Sequence, residues 1–440
     1  MKIITNDKFL PAIILFLLGW FSVLPAETEG LGIPFLISRI SVIHGIFLHE
    51  FLFISYVVFH IIFFRKNFSI DFGNSKPVKR LALMIFLLGT ATINSNLVNI
   101  LFGYEQPLIK IAEGFRLYLT AIFVICVYSW TIRFGGLFVC KNYLLGFILS
   151  GLLHLYFSAK LLFRELGGLP SLIGQNGPGP GFALALLFCA VLIHFSRSRS
   201  DVLIALSSLP ISVYGIVVSY SKISMLIGII SFVVLSLGVL KNMSIKNFPK
   251  YSLIFFIVSC VVIINFKNEL GNFLDGAKIY YEYKFGHDVI TKNESTTERL
   301  SYFSTTGKIF INNPLFGAGT GGFYEAVRHV APEALQIEDD YNDGSANPHN
   351  SFLYYTASSG FIGLALVLFI FFHINMMLFR ATKQKLMKTC VLPLFFLVFL
   401  IYGFTLSSLF NTLFMYTLYI ATFDLLKRDR SLNFVRTNPE

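Results

Sequence analysis

Asn347-Pro348-His349-Asn350-Ser351-Phe352-Leu353-Tyr354-Tyr355-Thr356-Ala357-Ser358-Ser359-Gly360-Phe361-Ile362-Gly363-Leu364 sets a polar cluster directly ahead of an apolar run that continues to Phe372. A stretch of about 20 apolar residues crosses a bilayer as a helix, so the run predicts a membrane span over 352–378. Asn350 and Ser351 are residue types that cap helix N-termini, and Pro348 fixes the chain direction entering the helix. The cluster stands where the chain passes from water to lipid. At that place His349 offers an imidazole that can exchange a proton near neutral pH.

The same apolar pattern recurs along the chain. Of 440 residues, 55% are hydrophobic and only 13% charged, with mean hydropathy +0.70. Soluble domains carry about 25% charged residues, so this chain uses the bilayer as solvent. The 49 Phe and 20 Tyr suit lipid-facing and interfacial surfaces. Candidate spans fall at 9–24, 43–64, 81–101, 109–130, 142–163, 181–196, 202–219, 223–240, 251–266, 352–378, 390–406 and 408–426, which predicts an all-α integral membrane protein of about twelve helices.

The net charge of +11 does not point to nucleic acid, because the basic residues sit in short loops between apolar runs. Alternate loops hold Arg65, Lys66, Lys76, Lys79 and Arg80; Arg133; Arg197 and Arg199; Lys241, Lys246 and Lys250; Arg380, Lys383, Lys385 and Lys388; and Lys427, Arg428, Arg430 and Arg436. The positive-inside rule makes these loops and both termini cytoplasmic. Residues 1–266 then carry the first nine helices, 267–350 form one large outer loop, and 351–440 hold the last three helices and a basic tail. A structureless loop of that length is unusual, so a small helical cap is expected there. The five cysteines form no CxxC pair, which supports neither a disulfide framework nor a zinc site. No metal or other cofactor is called for by the sequence.

Several groups can carry chemistry. Arg299, in the outer loop, can fork onto phosphate oxygens or pair with Glu294 or Glu298. Gly317-Ala318-Gly319-Thr320-Gly321-Gly322 can bring backbone amides to phosphate or serve as a turn before a helix. Lys222, in a tight turn between two spans, can bind phosphate as a point charge or snorkel to the interface. Arg164 stands beside a Gly/Pro-rich loop and is a second phosphate candidate. Asp340, with Glu338 and Asp339, can contact sugar. His44, His49, Glu50, Glu113, Arg116 and His154 lie inside spans and are functional suspects on that ground.

Taken together these motifs resemble the O-antigen polymerase and O-antigen ligase superfamily of bacterial envelope glycosyltransferases. The resemblance rests on Arg299 early in the outer loop, Pro314-Leu315-Phe316-Gly317-Ala318-Gly319, His349-Asn350-Ser351-Phe352-Leu353 and Gly360-Phe361-Ile362-Gly363-Leu364. It is best from Thr297 to Leu364 and architectural elsewhere. Many members carry Ser-x-Ser-Arg in the short outer turn, where this chain has Ser219-Tyr220-Ser221-Lys222.

The resemblance implies a GT-C-like fold in the bacterial inner membrane, with a large periplasmic loop. It implies a donor glycan carried on undecaprenyl diphosphate, catalytic roles for Arg299 and His349, and substrate binding by Lys222, Arg164, Asn350, Gly317, Gly319 and Asp340. Membrane lipids are partners, and a chain-length regulator or a flippase is a further candidate. A polymerase joins repeat units, whereas a ligase moves the glycan to lipid A-core. The Pro-His-Asn-Ser form and the Lys in the short turn favour polymerase. A flippase or transporter is the reading from another class. One asymmetric outer loop and the lack of paired broken helices speak against it.

Overall fold

The computed structural model describes residues 8–22, 41–43, 46–63, 75–103, 108–164, 179–196, 198–218, 226–228, 294–320, 322–330, 350–382 and 413–437. The expected spans at 251–266 and 390–406, and nearly all of 223–240, lie outside the described residues, as do Lys222, Asp340 and His349. Arg299 and Arg164 lie on described helices, but their side chains fall outside the description.

The described chain is helical apart from one hairpin. The helices are α1 (Phe9–Phe21), α2 (Leu48–Phe63), α3 (Lys76–Leu101), α4 (Leu108–Phe134), α5 (Gly136–Arg164), α6 (Gly179–Phe195), α7 (Arg199–Val218), α8 (Glu294–Asn312), α9 (Phe323–Val330), α10 (Ser351–Ala381) and α11 (Leu413–Thr437). Strands β1 (Ser41–Ile43) and β2 (Ile46–Phe47) pair antiparallel just before α2. This corrects the expected span at 43–64. Residues 41–47 are rich in β-branched and aromatic types, which favour extended backbone, and the helix starts only at Leu48.

Four described helices are long and apolar enough to cross a membrane: Lys76–Leu101, Gly114–Phe134, Gly136–Leu153 and Ser351–Ala381. Phe9–Trp20 and Gly181–Phe195 are shorter apolar helices. Within the segment expected to be a large loop, the described residues form α8 and α9.

Small residues let these helices approach closely, as apolar helices must when burial against lipid gains little. A Cβ at Gly19 of α1 would fall 2.0 Å from the carbonyl oxygen of Tyr143, and one at Gly146 of α5 would fall 1.8 Å from that of Phe16. Between α3 and α4, a Cβ at Gly89 would meet the Gly114 carbonyl oxygen at 2.9 Å. Helix α3 also packs against α10, and α11 lies against α4 and α5.

Charge separates the two ends of this bundle. His373 of α10 bonds the Pro77 carbonyl at 2.8 Å, so the end of α10 lies beside the start of α3, where Lys76, Lys79 and Arg80 sit. The Asp424 carboxylate of α11 accepts from the Gly136 amide at 3.1 Å and pairs with Arg428 at 2.9 Å. Arg428 also donates to the carbonyls of Thr131 and Ile132 at 2.8 and 2.9 Å. Asp201 accepts from Ser196 at 2.8 Å and pairs with Lys141 at 3.3 Å, which ties the α6–α7 turn to the start of α5. Among the described residues, the basic segments around Lys76–Arg80, Arg133, Arg199, Arg380 and Arg428 thus collect at one end.

Replacing Asp424 by Ala strips the Gly136 amide and the Arg428 guanidinium of a buried acceptor. A stranded buried polar group costs about 1–3 kcal/mol, so D424A should melt lower than wild type in detergent, with Arg428→Lys intermediate. An unchanged melting temperature in D424A would mean that this staple adds nothing to stability.

Candidate functional site

At the opposite end, α10 opens on the cap that its sequence prescribes. Asn350 is extended, with φ −149° and ψ 120°, and its side-chain oxygen accepts from the amides of Phe352 at 2.9 Å and Leu353 at 3.1 Å. That bond satisfies two of the donors a helix start leaves open. Asn350, singled out as a substrate-binding candidate, therefore spends its side-chain oxygen on the helix. His349 is covalently the residue before this cap.

Ten residues after the cap, the helix breaks. Gly360 takes φ 60° and ψ −149°, a conformation essentially confined to glycine. A break inside a membrane helix frees backbone groups that lipid cannot satisfy, so the protein must supply partners. The segment after α8 does so. Ala318 donates to the Ala357 carbonyl at 2.7 Å and Gly319 to the Ser358 carbonyl at 3.0 Å, while Phe361 donates to the Pro314 carbonyl at 2.7 Å. The fit leaves no room for side chains at two glycines. A Cβ at Gly360 would lie 2.6 Å from the Leu315 carbonyl, and one at Gly317 (φ +63°) would lie 2.3 Å from the Ala357 oxygen.

Helix α3 closes the third side with neutral polar groups. Ser95 donates to the carbonyls of Phe316 and Ser358. Asn96 makes a reciprocal pair with Thr320: its amide nitrogen donates to the Thr320 hydroxyl at 2.9 Å, and its oxygen accepts from the Thr320 amide at 2.8 Å. Asn99 donates to the carbonyls of Gly317 at 3.1 Å and Ser95 at 2.8 Å. All three side chains are buried, as are Thr320, Ser351, Ser358 and Ser359.

This geometry changes the reading of Gly317 and Gly319. Their amides face protein carbonyls, Gly317 donating to Asn313 at 2.9 Å and Gly319 to Ser358, rather than forming an open nest. The glycines are needed because the loop backbone presses against the backbone of a broken helix. Sequence reasoning also missed Ser95, Asn96 and Asn99. The signal was present: Thr92-Ile93-Asn94-Ser95-Asn96-Leu97-Val98-Asn99 crowds polar residues into an apolar span, but only ionisable residues within spans had been singled out.

The lock joins the elements that carry the two catalytic candidates. Helix α8 packs on α10 and runs without interruption from Arg299 to the lock at Asn313–Gly317, about 20 Å at 1.5 Å per residue. His349 precedes the first residue of the same α10 cap. Arg164 is the last residue of α5. Among the described residues, no group of three or more His, Cys, Asp or Glu could hold a metal ion.

Residues 182–368 match the family model described as O-antigen ligase. The matched region takes in α6 to α9, the glycine loop, the His349 cluster and the break in α10, and it leaves out α3 with its polar clamp. No curated protein matches the chain.

Two variants test the lock. Groups in one hydrogen-bond network couple by about 0.5–3 kcal/mol, so Asn96→Leu and Thr320→Val should be non-additive within that range in unfolding measurements; additive losses would mean the pair is not an energetic unit. Gly360→Ala adds positive-φ strain of about 1–3 kcal/mol to a backbone clash and should sharply lower the folded yield. Gly307→Ala, with nothing within 4 Å of the added carbon, should not.

Proposed function

We infer the activity from the superfamily that the match over residues 182–368 supports, the O-antigen polymerases and ligases of the bacterial envelope: the chain is a membrane glycosyltransferase acting on a lipid-carried glycan. In this reading it polymerises oligosaccharide repeat units carried on undecaprenyl diphosphate, at the periplasmic face of the inner membrane. The fold is a GT-C-like bundle of about twelve spans with both termini cytoplasmic, and the basic end faces the cytoplasm. The observation that carries the reading is the lock, which ties α8, bearing Arg299, to α10, whose cap follows His349.

The chemistry follows from the residue types. Arg299, aided by Lys222 or Arg164, holds the diphosphate and stabilises its negative charge as the bond from the anomeric carbon to the diphosphate oxygen breaks. His349 orients the acceptor hydroxyl and takes its proton as the new glycosidic bond forms. Undecaprenyl diphosphate leaves. Asp340 and its acidic neighbours contact sugar. A chain-length regulator or a flippase is a candidate partner in the same membrane.

The ligase reading has one specific observation in its favour: the matched family is described as O-antigen ligase. Surface lipopolysaccharide from a deletion strain distinguishes the two. Core bearing a single repeat unit means polymerase. Bare core with accumulating lipid-linked polymer means ligase. General-base catalysis is worth about 100-fold or more, so His349→Ala should fail to restore the ladder, and Arg299→Lys should impair it by losing two-point phosphate binding. Full rescue by either well-expressed variant would remove that residue from the mechanism, and an unchanged ladder in the deletion strain would remove this glycan.

A further inference from the structure

At the basic end, far from the lock, α3 and α4 leave an open groove between them. It is lined by Lys79, Ala82, Leu83 and Phe86 of α3 and by Ala121, Ile122 and Ile125 of α4, and it encloses about 420 Å³. The floor is made by two small residues, Ala82 and Ala121, both buried. Leu83 and Phe86 rise beside them on the exposed face. Toward the middle of the bundle the Phe86 ring stacks on Tyr118 with centroids 4.4 Å apart, and the Tyr118 hydroxyl meets that of Thr90 at 3.1 Å. That stack ends the groove. At its other end Lys79 stands among Lys76 and Arg80, and the first turn of α3 contains no acid.

We propose that this groove binds one anionic glycerophospholipid. The acyl chain lies over Ala82 and Ala121, and the phosphate sits at Lys79, with Lys76 and Arg80 adding to the field. Shape and charge carry the assignment together. A dent walled by Leu83, Phe86, Ile122 and Ile125 suits a hydrocarbon chain. A lysine one turn inside the helix start reaches the headgroup layer by extending its side chain. Basic residues at that level favour anionic over zwitterionic headgroups. The site is at the opposite end of α3 from Ser95, Asn96 and Asn99, so it is separate from the glycan site proposed above and does not depend on that reading.

The full chain, purified and placed in phosphatidylcholine nanodiscs containing a photoreactive phosphatidylglycerol, tests the proposal. Cross-links are expected in peptides covering 79–86 and 121–125, competed by unlabelled phosphatidylglycerol and not by phosphatidylcholine. Ala121→Trp, which fills the floor, should abolish them. Lys79→Gln, which leaves the groove's shape intact, should weaken the preference for phosphatidylglycerol about fivefold. Cross-links spread evenly around the bundle, or unchanged in Lys79→Gln, would overturn the proposal in favour of ordinary annular lipid. Displacement by a polyprenyl phosphate but not by phosphatidylglycerol would overturn it in favour of a donor tail. Disulfide-linked dimers through Leu83→Cys would overturn it in favour of a second copy.

Discussion

The described structure turns on how a membrane helix survives being broken. Gly360 interrupts α10 and frees the carbonyls of Ala357 and Ser358 and the amide of Phe361. In lipid such groups would have no partner. Here the loop from Pro314 to Gly319 takes the place of the missing helical turn, with three backbone hydrogen bonds. The loop in turn exposes its own carbonyls, and α3 meets them with Ser95 and Asn99, while Asn96 clasps Thr320. Each element completes the polar groups of another, so none of the three is satisfied alone.

The two ends of the bundle are held by different chemistry for a physical reason. At the basic end, the carboxylates of Asp424 and Asp201 meet Arg428 and Lys141 together with hydroxyl or amide donors, and the charges reach the aqueous boundary. At the lock end, the partners are serine, asparagine and threonine, which satisfy backbone groups without burying a net charge.

The helix start at the site was legible because local rules dominate there. The cap at Asn350 follows from the preference of asparagine for helix starts, and the extended apolar run after it gives α10 its length. Among the described residues, the basic starts and ends of α3, α4, α5, α10 and α11 lie at one end. The hairpin before α2 is hard to read because Ile43, Ile46 and Phe47 extend the apolar pattern of α2 toward the N-terminus, and only the β-branched residues there argue for extended backbone. The glycine loop reads from sequence either as a phosphate contact or as a turn, because glycine permits close backbone approach of any kind; sequence alone does not say whether the approaching group is a ligand or another stretch of backbone.

By itself, the sequence determined that the chain carries apolar helices long enough to cross a bilayer, where α3, α4, α5 and α10 run, and which motifs resemble those of the O-antigen polymerase and ligase superfamily. Those properties follow from composition, periodicity and residue type, which act over a few turns at most. Only the tertiary structure decided that Gly317 and Gly360 face one another, that Asn96 finds Thr320 some 224 positions away, and that three neutral residues of α3 clamp the loop that completes a broken helix. These pairings are set by the need to satisfy every freed backbone group where water is absent. That need has no local signature, because the partner can come from any segment that the fold brings within reach.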